Sequence, residues 1–266
     1  MKRVVSRWHL ATAPLRTFPH FVVIGGMKCG TTTLFYLLKD HPDFRSPIRK
    51  EIHFFDREYR HGERWYRAHF PFRSTGTSHR WVTGEASPFY LIHPFTPSRM
   101  AKLLPQARLL VLLRNPVARA YSHYQQICRM GWETLSFEDA LAEEEERITP
   151  DLEKMSDDPL YHGESFRRYS YAARGRYAEQ LERWLPHYSR QQILVVRSES
   201  FLKDTDEVYG KMLQFLGMRS WSIANVPNRR VANYEPMLPA TKERLRAYFE
   251  PENRKLSQLL GESFDW

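Results

Sequence analysis

Three short apolar runs, Phe21 to Gly25 (FVVIG), Arg108 to Leu113 (RLLVLL) and Ile193 to Val196 (ILVV), are each flanked by polar or turn residues and each followed by a helical pattern. Runs this short and this uniformly apolar suit parallel strands covered on both faces. The helical patterns span Thr31 to Lys39, Pro116 to Met130, Phe137 to Glu146, Arg176 to Pro186, Glu207 to Leu216 and Thr241 to Leu260. Alternating strand and helix predicts a three-layer α/β fold, a central parallel sheet flanked by helices, with its ligand crevice at the carboxyl ends of the strands. The 266 residues hold no repeat and no Pro, Gly or Ser-rich linker, so one domain over 1–266 is expected, with 1–18 as a flexible N-terminal extension. The acidic run Glu143 to Glu146 falls inside a helical pattern and reads as a solvated face.

Charge narrows the partners. Forty Lys and Arg against 31 Asp and Glu give +9, and 30 of the 40 are Arg, the planar bidentate reader of oxyanions. An anionic substrate, nucleic acid or a membrane surface all remain open at this point. Cys29 and Cys128 are far apart and form no ligand cluster, so neither a disulfide framework nor a zinc site is expected, and a reducing, cytoplasmic setting fits. The N-terminal stretch is basic but interrupted by Arg7, His9 and Pro14, and no uncharged run reaches membrane-spanning length, so the chain reads as soluble; an organellar leader is the alternative.

The crevice directs attention to two strand ends. After the first strand stands Gly25-Gly26-Met27-Lys28-Cys29-Gly30-Thr31-Thr32-Thr33, a glycine loop opening a helix, where backbone N–H groups can wrap a phosphate. Taken alone it is equally a tight strand-to-helix turn. Against the nucleotide triphosphatase pattern GxxxxGK[ST], Thr31 occupies the lysine position and Lys28 lies inside the loop. The second strand ends Leu112-Leu113-Arg114-Asn115-Pro116, placing a cation where a carboxylate would help hold magnesium.

This pair of motifs resembles the sulfotransferases that use 3′-phosphoadenosine 5′-phosphosulfate (PAPS), in particular the heparan sulfate sulfotransferase-like and related bacterial domains. The resemblance runs from about Phe21 to Trp266 and implies a P-loop-like fold. It implies that Gly26, Met27, Lys28, Cys29, Gly30, Thr31 and Thr32 hold the 5′-phosphosulfate. Arg114 and Ser122, in Arg114-Asn115-Pro116-Val117-Ala118-Arg119-Ala120-Tyr121-Ser122, match the R-x-P-x-x-R-x-x-S element that binds the 3′-phosphate. Arg229 and Arg230 occupy the position of a late cofactor loop.

Lys50-Glu51-Ile52-His53-Phe54-Phe55-Asp56 resembles the family's catalytic glutamate segment, which makes Glu51 the candidate general base and His53 its rival. An acceptor hydroxyl or amine must lose a proton as it attacks sulfur. Partial burial among Phe54 and Phe55 would raise the Glu51 pKa, and Lys50 would oppose that. Lys28 and the loop amides would stabilise charge on the departing phosphate oxygen. In-line displacement without a metal ion is therefore expected. Glu85-Ala86-Ser87-Pro88 departs from the animal pattern, in which a lysine precedes Thr-Pro; Ala86 stands in its place. Glu85 is a candidate assistant to Glu51 or a structural hydrogen-bond partner. The alternatives to a sulfotransferase are a P-loop kinase and a basic nucleic-acid-binding protein, for which no recognition motif is present. Arginines between 45 and 80 and from 167 to 176 remain unassigned and raise the question of an acidic acceptor.

Overall fold

A computed structural model describes residues 5–73, 81–223 and 234–266. The three expected strands are present as β1 (Phe21–Gly25), β3 (Arg108–Leu113) and β4 (Ile193–Arg197), joined by a short β2 (Gly84–Ala86). All pairings are parallel, in the order β2-β1-β3-β4. β2 escaped the sequence reading because three residues beginning with glycine carry no apolar run. Gly84 is required there: a Cβ would lie 2.5 Å from the Phe21 ring.

Alternation along the strands separates two cores. Val22, Ile24, Leu109, Val111, Leu113, Ile193 and Val195 face one layer, which contains Phe54, Phe55, Tyr66, Tyr90 and Trp184. Phe21, Val23, Leu110 and Leu112 face the other, formed largely by helices Thr31–Asp40 and Thr205–Leu216. This is the three-layer arrangement expected from the sequence, and because the strands are parallel every carboxyl end opens on one side.

Several local expectations are corrected. The described part of 1–18 is not a loose extension: Ala13 and Arg16 are buried, and Arg16 donates from Nη1 to the Phe70 carbonyl at 2.7 Å. The helix expected over Phe137 to Glu146 is two, Phe137–Ala142 and Glu144–Asp157. The break lets Glu144 turn inward and accept from the Ala172 and Ala173 N–H groups at 2.6 and 2.8 Å, so that member of the acidic run is buried rather than solvated. The helix expected over Arg176 to Pro186 is shorter, Tyr177–Glu182. Among the described residues no helix is long and apolar enough to cross a membrane.

Candidate active site

The glycine loop leaves β1 and is pinned from β3 and from the end of β4. Gly26 N–H donates to the Leu112 carbonyl of β3 at 2.6 Å, and Ser198 Oγ, just past β4, donates to the Cys29 carbonyl at 2.6 Å. Lys28 (φ 68°) and Gly30 (φ 89°) both take the left-handed region. For lysine this is uncommon and is sustained by its surroundings. Such a turn directs successive N–H groups toward one concavity, and the first amides of helix Thr31–Asp40 add donors and the positive end of its dipole. Cys29 is buried, and burial pushes its thiol up to about 11, so the side chain is a neutral wall of the loop. Met27 Sδ accepts from Arg174 at 2.7 Å, and Thr32 Oγ1 from Lys50 Nζ at 2.9 Å.

The end of β3 closes on the same loop. Arg114 Nη1 reaches the Lys28 carbonyl at 3.4 Å, while the Arg114 carbonyl accepts from Tyr177 OH at 2.8 Å. Asn115 caps helix Pro116–Arg129, accepting on Oδ1 from Val117 and Ala118 N–H. Ser122 lies two turns into that helix and is buried. Arg114 thus reaches the loop, and Ser122 lies along the helix that follows it.

Behind them sit three buried groups that the sequence reading left without a role. Arg119 donates to the Tyr171 carbonyl, and Arg174 donates to Ser170 Oγ, the Arg167 carbonyl and Met27. Burial and then Arg119 lower Arg174 to about 9, still cationic at neutral pH. His123 is held far below the usual imidazole range by burial and by Arg174, Arg119 and Lys28, and is therefore neutral. The two arginines give the loop a positively charged backing. No sequence periodicity announces Arg174, because its neighbourhood is created by tertiary contact.

On the acceptor side Ile52, Phe54 and Phe55 drop into the core, leaving Glu51 and His53 at the crevice. His53 adopts φ 57°. The segment is held by buried Glu85 of β2, which accepts from Ile52 N–H (3.3 Å), Tyr66 OH (2.9 Å), Tyr90 OH (3.0 Å) and Ser87 Oγ (2.6 Å). Ser87 in turn accepts from His53 N–H at 3.2 Å. Glu85 is therefore a structural anchor, and Glu85→Ala, which strands these buried donors, should cost about 3 kcal/mol in urea unfolding.

Electrostatics corrects the expectation for Glu51. Phe54 and Phe55 are buried in the core, whereas the Glu51 side chain is 43% exposed. What burial it has would raise its pKa, but the His53 hydrogen bond and Lys50, 2.9 Å away, outweigh this and hold the carboxyl down at about 2. His53 is the middle of a carboxylate–imidazole–carboxylate line: Nδ1 is 2.8 Å from buried Asp56 Oδ2 and Nε2 is 3.4 Å from Glu51 Oε2. Burial disfavours its charge, yet Asp56 and Glu51 raise it to about 10. His53 is thus an imidazolium, which removes it as a resting general base. Asp56, quoted in the motif but given no role, had a sequence signal in its i+3 spacing from His53.

Ala86 is fully buried on the helix-facing side of β2, so the position of the expected lysine is filled by core. Arg229 and Arg230 lie outside the described residues. Trp65, Tyr66, His69 and Phe70 pack into or against the core. Arg167 and Arg168 are paired with Glu164.

Comparison with known proteins identifies the family. The chain is 30% identical to a heparan sulfate glucosamine 3-O-sulfotransferase 6 of Mus musculus, over 94% of this chain and 74% of that protein. It is 29% identical to the membrane-associated sulfotransferase kil1 of Dictyostelium discoideum, over 95% of this chain and 67% of that protein. A sulfotransferase from Alicyclobacillus acidocaldarius superposes with a TM-score of 0.75 at 33% identity, covering 93% and 98% of the two chains. With residues 18–248 matching the sulfotransferase domain, the chain belongs to the sulfotransferase family.

Proposed function

We propose that this sulfotransferase moves the sulfuryl group of PAPS to a hydroxyl or amine of a saccharide, with Glu51 as the base. The observation that carries the reading is the bridge made by Lys50, whose Nζ donates both to Thr32 of the donor loop and to Glu51. It brings the phosphosulfate cradle and the carboxylate to one ammonium group. The acceptor oxygen attacks sulfur, the bond from sulfur to the bridging phosphate oxygen breaks, and 3′-phosphoadenosine 5′-phosphate leaves. Lys28 and the loop amides stabilise the charge that gathers on that oxygen. The acceptor proton passes to Glu51. A carboxylate held near pKa 2 suffices, because the hydroxyl becomes strongly acidic as its oxygen bonds to sulfur. Imidazolium His53, anchored by Asp56, orients Glu51.

The saccharide reading is supported by the relatives named for heparan sulfate and by the crevice cations. Arg114 at the end of β3, where an NTPase places a metal-binding carboxylate, supports turnover without a metal ion. The test is transfer from labelled PAPS to acidic and neutral oligosaccharides, with and without EDTA. Transfer unaffected by EDTA and absent with ATP plus magnesium supports the reading; metal-dependent turnover would sink the metal-free part.

Lys50→Met supplies a pH signature. Glu51 works ionised, so activity is present above its folded pKa and lost as pH falls through it. Removing one of the two cations that depress it should move the acid limb of kcat/KM upward by about one unit. The alkaline limb depends on His53, whose charge is complete below the ordinary imidazole range and lost as pH rises through about 10. That limb should stay in place.

A further inference from the structure

The sheet has a second functional-looking end. Opposite the crevice, where the strands begin, the segments entering β1, β2 and β3 enclose a cleft of about 740 Å³ that includes the first residues of β1 and β3, Phe21 and Arg108. Its charged lining is Arg16, Arg67, Arg73 and Arg108 with His20, and none of the described residues that line it is acidic. Arg67 is paired with Glu63; among the described residues no ion pair is formed by Arg16, Arg73 or Arg108. Two of these cations are pre-positioned on aromatic faces, Arg16 at 4.3 Å from the Phe72 ring centre and Arg67 at 4.1 Å from that of Phe18. Trp81 adds a flat aromatic wall, with His20 against it edge-on.

A basic edge connects this cleft with the crevice. Residues 43–50 run beside 82–86 in the same direction: Phe44 bridges Val82 in parallel, Arg45 N–H donates to the Val82 carbonyl at 2.9 Å, and Ala86 N–H donates to the Lys50 carbonyl at 3.1 Å. The segment starts at the cleft, with exposed Arg45 stacked 4.8 Å from Trp81, and ends at Lys50 beside Glu51. Arg49 lies between. The span is short: the four steps of β1 cover about 13 Å.

We propose that the cleft is a remote subsite for an acidic saccharide chain, whose carboxylate or sulfate groups are held by Arg73 and Arg108 and whose sugar faces lie against Trp81, while Arg45 guides the chain along the edge from the crevice. Arginine forks bind these oxyanions bidentately, and an aromatic face suits a sugar ring beside them. A cluster of cations without internal acids is self-repelling, and a polyanion relieves that repulsion. The subsite deepens the saccharide reading above and rests on it for the identity of the chain, but it is tested by binding.

The experiment compares wild type with the triple variant Arg45→Ser, Arg73→Ser and Arg108→Ser, three exposed positions, using heparin-derived dodecasaccharide and tetrasaccharide, neutral dextran oligomers and phosphatidylserine vesicles. Retained thermal stabilisation by 3′-phosphoadenosine 5′-phosphate reports that the variant is folded. The expected result is roughly ten-fold weaker dodecasaccharide binding in the variant, with tetrasaccharide KM and bisphosphate affinity unchanged. Quenching of Trp81 fluorescence by dodecasaccharide should be lost in Trp81→Phe. Equal dodecasaccharide binding by both proteins, an equal loss for the tetrasaccharide, or a loss seen for vesicles and not for saccharide would each overturn the proposal. If no saccharide is sulfated but dodecasaccharide still binds through these arginines, the acceptor reading fails and the subsite stands.

Discussion

Glu51→Gln is expected to lower kcat by about 10²- to 10⁴-fold while leaving affinity for 3′-phosphoadenosine 5′-phosphate unchanged. The amide is nearly isosteric and can still accept from Lys50, so the geometry of the Lys50 bridge is kept; what is lost is an anion able to take a proton. Because the proton moves only as the S–O bond forms, the defect belongs to the chemical step. Single-turnover measurement with preloaded donor should show it in full, and a burst followed by slow turnover would assign it to product release instead. The neighbouring His53 should respond as well. With one of its two carboxylate partners removed, its pKa should fall from about 10, visible as an earlier alkaline limb or directly by NMR titration of the imidazole. A Glu51→Gln enzyme with near wild-type kcat would remove Glu51 as the base.

The second large effect is expected for Arg114→Ala on the nucleotide side. Truncating one partner of a charge-assisted contact in a closed site commonly costs about 2–5 kcal/mol, here about 30- to 4000-fold in bisphosphate affinity by titration calorimetry. The contrast with adenosine 5′-phosphosulfate, which lacks the 3′-phosphate, separates direct recognition from structural damage. If Arg114 grips that phosphate, the variant should bind both nucleotides about equally weakly. Its carbonyl bond from Tyr177 is made by backbone and survives the substitution, so the loop should keep its fold. Unchanged discrimination between the two nucleotides would remove Arg114 from the 3′-phosphate site.

Much of the architecture was legible in the chain. Each of the three long strands holds a continuous apolar run, since burial on both faces of a parallel sheet favours apolar side chains, and their ends agree with the sequence reading to within a residue. β2 was not legible because it is short, begins at a glycine chosen for its lack of a side chain, and centres on a buried carboxylate. The helical breaks near Glu143 and after Glu182 were hidden because tertiary partners, not local propensity, decide them. The clearest case is Glu144, turned inward by two backbone N–H groups 28 and 29 residues away in sequence.

The sequence alone determined where the glycine loop and the Arg-x-Pro element sit, since each is a run of consecutive residues at a strand end. Tertiary structure decided the protonation of Glu51 and His53. Their pKa values move in opposite directions through a line of contacts that ends on Asp56 and a Lys50 bond to the donor loop. It also gathered Arg16, Arg67, Arg73 and Arg108, spread over some ninety positions of sequence, into one cleft. A charge count is a sum over the chain, whereas a field depends on distances, and only the folded chain sets those.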